Sequence, residues 1–113
     1  MSYEIQYSPQ AKEDLDRVWD EVYEVSGDFD IADNYIRDLR DALRRKKKYP
    51  KTAIPLTFMG EFTGIYYIHF KEYLAFYVIC EGFIRIARVL YARSDYIKIL
   101  FGKSEHALED TEE

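Results

Sequence analysis

A chain of 113 residues and 13.5 kDa is long enough to close one hydrophobic core and too short for two. Its 48% hydrophobic and 17% aromatic content excludes a disordered segment, and no apolar run approaches the roughly 20 residues that a membrane-spanning helix needs. The net charge of -5 is unevenly placed: Glu105, Glu109, Asp110, Glu112 and Glu113 supply five acids at one end, leaving 16 acids against 16 bases in a neutral body. The expectation is one cytoplasmic domain over residues 1–104 and an acidic, disordered tail over 105–113, with Met1 leading into an alternating segment rather than a hydrophobic signal. The single cysteine, Cys80, lies in an apolar run, excludes an internal disulfide and suits a reducing compartment.

In chain order, Tyr3, Ile5 and Tyr7 alternate with Glu4 and Gln6, the period of a half-buried strand. Ser8 followed by Pro9 starts a helix, because the serine caps free amides and proline tolerates the first turn. Ala11, Leu15, Val18, Trp19, Val22 and Val25 form its apolar stripe, Lys12, Glu13, Asp16, Arg17, Asp20 and Glu24 its wet face, and Ser26-Gly27 its end. Asp30 caps a second helix and Asp33 supports its first turn, with Ala32, Tyr35, Ile36, Leu39, Ala42 and Leu43 as the stripe. Arg44, Arg45, Lys46, Lys47 and Lys48 complement the dipole at its C-terminus, and Tyr49-Pro50 stop it.

Lys51 to Thr63, with Pro55 and Gly60, predicts a connecting loop. Ile65–Phe70, Tyr73–Cys80 and Phe83–Ala92 then predict three strands, joined through Lys71-Glu72 and Glu81-Gly82 by turns that only antiparallel hairpins can use. Asp95 caps a last helical turn over Tyr96–Phe101, ending at Gly102. The predicted fold class is α+β in the order β-α-α-β-β-β, a helical hairpin packed on a mainly antiparallel four-stranded sheet.

The residues with chemistry are few. Arg85 and Arg93 share a face of the last strand if no bulge intervenes, whereas Arg88 falls with Ile84, Ile86 and Leu90 and predicts a structural arginine paired with an acid such as Asp95. His69 is a strand histidine able to act near neutral pH, and His106 stands in the acidic tail. Two distant histidines and one cysteine offer no metal-ligand spacing, and no cofactor motif is present. Arg44 to Lys48, continued by Lys51, offers a solvated helix end or a surface for an acidic partner or phosphate.

The strings YEIQYSPQA (Tyr3 to Ala11), DLDRVW (Asp14 to Trp19), YLAFYV (Tyr73 to Val78) and IARVLYARSD (Ile86 to Asp95) resemble the RelE/ParE toxins of type II toxin–antitoxin systems over about residues 3 to 101. The resemblance implies a small toxin neutralised by a co-expressed antitoxin, as a homodimer or a heterotetramer with it, without cofactors. In the ribosome-dependent ribonuclease branch it implies catalytic roles on messenger RNA for Arg85, Arg93 and Tyr96. The basic set that this branch carries around its second strand is replaced here by Gly64-Ile65-Tyr66-Tyr67-Ile68-His69, with Lys71 only at the turn. YLAFYV and IARVLYARSD are closer to the ParE-like, plasmid-stabilising branch, which blocks DNA gyrase and would place target binding on Arg93, Asp95, Tyr96 and Lys98. A detoxified relative acting only as a binding module is the third expectation.

Overall fold

The computed structural model describes residues 2–102, so the acidic tail and His106 lie outside the described residues. The elements run β1 (Glu4–Tyr7), α1 (Pro9–Ser26), α2 (Phe29–Arg44), a 3-10 turn (Pro50–Thr52), β2 (Ile54–Phe58), β3 (Glu61–Phe70), β4 (Tyr73–Ile79), β5 (Phe83–Tyr91) and α3 (Tyr96–Phe101). The α+β class and the helical hairpin are as the sequence predicts. The sheet, however, has five strands in the order β1-β5-β4-β3-β2.

The added strand is β2, inside the stretch predicted to be a loop. Only Leu56 of its five residues is buried, and the pairing with β3 slips between Pro55 and Thr57, so neither alternation nor an apolar run marks it. As an edge strand it tolerates Pro55. Met59 (φ 55°) and Gly60 (φ 80°) take the left-handed conformation that turns the chain back into β3, which starts at Glu61 rather than Ile65. No helix of the described residues is long and apolar enough to cross a membrane.

Ser8 caps α1 as predicted, its hydroxyl accepting from the Ala11 amide at 3.0 Å, and Gly27 (φ 66°) closes the helix. The cap of α2 is Asp28 rather than Asp30: its carboxylate accepts from the Asp30 and Ile31 amides, one residue before the helix begins. Asp33 instead accepts from the Trp19 indole at 2.8 Å, tying α2 to α1. The rings of Trp19, Tyr23 and Phe29 stack with centroids 4.7 to 5.6 Å apart and clamp the hairpin tip.

β4 pairs antiparallel with β3 and β5, and β1 lies parallel to β5. In β5 the register jumps from Ile86, opposite Tyr77, to Arg88, opposite Phe76, leaving Ala87 as a one-residue bulge. The bulge reverses which face each later residue takes. Ile84, Ile86 and Val89 pack under the helices with Ala11, Leu15, Val18, Leu39 and Leu43, whereas Leu90 joins Phe76, Leu74 and Leu56 on the opposite face. The predicted common face for Arg88, Ile84, Ile86 and Leu90 fails for this reason, and the unbulged strand on which a shared face for Arg85 and Arg93 was conditional is not found.

β1 covers the outer edge of β5 only as far as Ile86. Beyond that point side chains of Ser8 and α1 replace the missing strand. The Ser8 hydroxyl donates to the Ala87 carbonyl at 2.8 Å, Arg17 Nη2 donates to the Val89 carbonyl at 3.2 Å, and the Asp14 carboxylate accepts from the Val89 amide at 2.9 Å. Asp14, whose side chain is 1% exposed, also takes Arg88 Nε at 2.8 Å and Nη2 at 3.0 Å in a two-pronged pair and Arg17 Nη1 at 3.0 Å. Arg88 is therefore structural, as predicted, but its partner is Asp14 and not Asp95.

Burial alone would raise the Asp14 pKa, but the Arg88 and Val89 hydrogen bonds and the Arg88 and Arg17 charges outweigh it and hold the carboxyl below the usual carboxylate range. A native pKa below the unfolded one gives stabilisation that is complete above about pH 4 and lost as pH falls through the native value. Replacing Asp14→Ala leaves a half-buried guanidinium and a buried amide unpaired and is expected to cost about 3 kcal/mol in urea denaturation. The wild-type advantage over Asp14→Asn should shrink in titrations below about pH 4.

Candidate functional site

The sheet face away from the hairpin is covered only in part. β3 contributes Ile65 and Tyr67, β4 Leu74 and Phe76, and β5 Leu90, and α3 lies over them through Tyr96, Ile97 and Leu100. The Phe76 ring sits 5.4 Å from both Tyr67 and Tyr96, and Phe58 in β2 stacks on Phe101 at 5.0 Å. Burial, helped by the nearby Tyr96, pushes the Tyr67 phenol above its usual pKa, so at neutral pH it stays protonated and is a poor base. This surface is aromatic and apolar.

Around it stand the predicted site residues. Arg85 is exposed and pairs across the sheet with Val78, on the face opposite Ile84 and Ile86. Arg93 is exposed in the turn between β5 and α3, where Ser94 bonds the Tyr91 carbonyl through its amide at 2.9 Å and its hydroxyl at 2.6 Å. Asp95 caps α3 by accepting from the Lys98 amide at 3.3 Å. Arg93, Asp95, Tyr96 and Lys98 thus form one short projecting segment, with Tyr96 half-buried as its anchor and the other three exposed.

The basic run splits. α2 ends at Arg44, so Arg45 to Lys48 lie in the turn beyond it, and Lys48 lies over the Tyr49 ring. Arg45 and Lys46 share a depression of about 490 Å³ with Thr52, Ile54, Tyr67 and His69, and Lys46 donates to the Thr52 hydroxyl at 3.2 Å. Arg44 and Lys47 turn instead toward β1. Lys51 is exposed in the 3-10 turn. Among the described residues no cluster of His, Cys, Asp and Glu is suited to a metal ion.

A third surface was not read from the sequence. The hairpin tip and the ends of β4 and β5 enclose an open groove of about 750 Å³, floored by Val22, Val25, Ile31, Tyr35, Tyr73 and Tyr91 and rimmed by Glu21, Glu24 and Glu72. The Tyr73 hydroxyl donates to Glu21 at 2.7 Å, which together with burial pushes its pKa far above the usual value. Val25 is 92% exposed, although it continues the apolar stripe of α1. That stripe running past the core was the available signal. For Asp14 the signal was its place between Ala11, Leu15 and Val18 on the same stripe, where a carboxylate needs a buried partner.

The sequence model of the ParE toxin of the parDE type II toxin–antitoxin system matches residues 5–96. No curated protein matches the chain. Among solved structures it is similar to a chain of the chromosomal ParDE system from P. aeruginosa, with a TM-score of 0.67 at 15% identity, covering 80% of this chain and 96% of that one. It is also similar to the YoeB dimer from Staphylococcus aureus (0.54, 20% identity, 80% and 98% covered) and to the RelBE2 toxin–antitoxin complex from Mycobacterium tuberculosis (0.54, 16%, 80% and 99%). At these identities the structural likeness shows the fold alone.

If α3 is held by its aromatic anchor, Tyr96→Ala should uncover Phe76 and lower stability by about 2–3 kcal/mol, while Tyr96→Phe should stay within about 1 kcal/mol of the wild type. Urea unfolding followed by far-UV dichroism checks both.

Proposed function

The chain belongs to the ParE toxin family of type II toxin–antitoxin systems, and from that membership we propose that it binds DNA gyrase and stalls it on DNA until a cognate antitoxin removes it. The observation that carries this reading is the character of the face beside α3. Cleavage of RNA by its own 2′-hydroxyl needs cations against the phosphorane and groups to move two protons. The face offers Tyr67, Phe76 and Tyr96 flanked by apolar residues, and of the two arginines of β5 Arg88 is consumed by Asp14, which leaves Arg85 as the exposed strand arginine on that face. An aromatic patch beside a projecting charged segment suits protein recognition, with the rings as anchors and Arg93, Asp95 and Lys98 as the polar rim.

The groove at the hairpin tip supports the antitoxin as partner. Its apolar floor and three glutamates fit an amphipathic segment that presents aliphatic side chains inward and lysine or arginine at its margins. It lies among α1, α2 and the ends of β4 and β5, on elements other than the Arg93–Lys98 segment.

A ribosome-dependent ribonuclease is the second reading, favoured by the depression that brings His69 together with Arg45 and Lys46. In that reading the cleavage chemistry falls to this set or to Arg85, Arg93 and Tyr96. A detoxified binding module remains the reading if neither activity exists.

Induced expression without antitoxin is expected to arrest growth with gyrase-linked DNA breaks and intact messenger RNA, and Arg93→Glu to relieve the arrest at equal protein level. Codon-phased RNA cuts, lost in His69→Ala or Tyr96→Phe, would replace this reading by the ribonuclease; normal growth would leave the binding module. In pull-down or calorimetric titration with the antitoxin encoded beside the gene, Val25→Asp should weaken binding by about tenfold or more, roughly 1.4 kcal/mol, without loss of fold.

A further inference from the structure

A recess between α2 and β1 is used by neither reading above. Its walls are Ile5 and Tyr7 from β1, Arg40 and Arg44 from α2, and Lys47 from the turn that follows, and they enclose about 240 Å³. No acid lines it. The turn is held in place by the Tyr3 amide, which donates to the Lys47 carbonyl at 2.8 Å. Arg44 is ion-paired with Asp41 on the helix surface, so Arg40 and Lys47 carry the charge that is left over.

Arg40 is the informative residue. Its guanidinium carbon lies 5.0 Å from the centroid of the Tyr7 ring, and its Nε is buried without a hydrogen-bond partner. A buried donor with no acceptor bears a desolvation penalty, so the Arg40 guanidinium is not satisfied from within the protein. Burial pushes the Tyr7 phenol above its usual pKa despite the opposing pull of Arg40 and Arg44, so its hydroxyl stays protonated and is a further donor at neutral pH.

We propose that this recess binds a phosphate group, held by Arg40 and Lys47 with Tyr7 as a neutral donor. A guanidinium, an ammonium and a phenol on different walls suit a tetrahedral oxyanion, which offers acceptors in several directions, better than a planar carboxylate, which one guanidinium fork satisfies. Two unneutralised cations match the charge of inorganic phosphate or a terminal phosphate near neutral pH, and exceed by one that of an internal backbone phosphate. The space, roughly the liquid volume of eight waters, accommodates such a group with solvent. Inorganic phosphate, the terminal phosphate of a nucleic acid and an internal backbone phosphate share this chemistry.

The test uses the full chain at fixed ionic strength, with chloride as the control anion. Inorganic phosphate and two short single-stranded oligonucleotides of one sequence, with and without a 5′-phosphate, are titrated by phosphorus NMR and by thermal unfolding. Binding above the chloride control by any of the three, weakened about tenfold or more in Arg40→Gln and Lys47→Gln, supports the site. A preference for the phosphorylated oligonucleotide identifies a terminal phosphate, equal binding of both oligonucleotides identifies the backbone, and response to inorganic phosphate alone identifies the free ion. Lys47→Gln carries the test if Arg40→Gln fails to fold, since among the described residues the Lys47 side chain makes no hydrogen bond or ion pair to another element. Binding no better than chloride, or equally tight in Lys47→Gln, overturns the proposal.

Discussion

The carboxylate of Asp14 fixes how the helices meet the sheet. A buried carboxylate is tolerable only when its charge is paired and its lone pairs are filled, and Asp14 achieves both with Arg88, Arg17 and the Val89 amide. These partners sit where β5 bulges and β1 has ended, so the same contact finishes an edge that would otherwise stay open. The helix α1 therefore has one rotation and one height on β5. Its apolar stripe then covers Ile84, Ile86 and Val89, and α2 follows through the stacked rings at the hairpin tip.

The division of the molecule into two unlike surfaces follows from that placement. On the hairpin side the helices use up the core residues and leave an apolar groove with an acidic rim at the tip. On the other side the bulge turns Leu90 outward to join Phe76, and the short α3 closes over them with Tyr96. The bulge thus serves both sides: it delivers Val89 to the helices and Leu90 to α3. It also commits Arg88 to Asp14, which removes from the open face a cation that its position in the strand would otherwise supply.

Local chemistry made much of this legible in the sequence. Ser8-Pro9, Gly27, the two-residue hairpins and Asp95 each act through their own backbone, and each does what its residue type implies. The misses share another cause. β2 was hidden because an edge strand with one buried residue has no period to read. Grouping Arg88 and Leu90 with Ile84 and Ile86 missed because a bulge at Ala87 leaves no mark in composition. The partner of Arg88 lies 74 residues away, and no local rule chooses Asp14 over Asp95. The site residues near α3 were readable as a segment, whereas the groove, the two basic depressions and the unpaired Arg40 arise only when distant elements come together.

The tie between the first strand and the last also bears on how the chain is made. Ser8 and Ala87, and Asp14 and Arg88, meet across most of the described sequence, and among the described residues β1 has only β5 as its neighbour in the sheet. During synthesis the hairpin of α1 and α2 emerges first, with a carboxylate on its apolar stripe and, of its native partners, Arg17 alone beside it. Such long-range closure slows folding, because loop entropy is spent before the contacts repay it. A growing chain must hold this half-formed hairpin until β5 leaves the ribosome, so the complete fold, and any surface that depends on it, comes into being only after β5 has emerged.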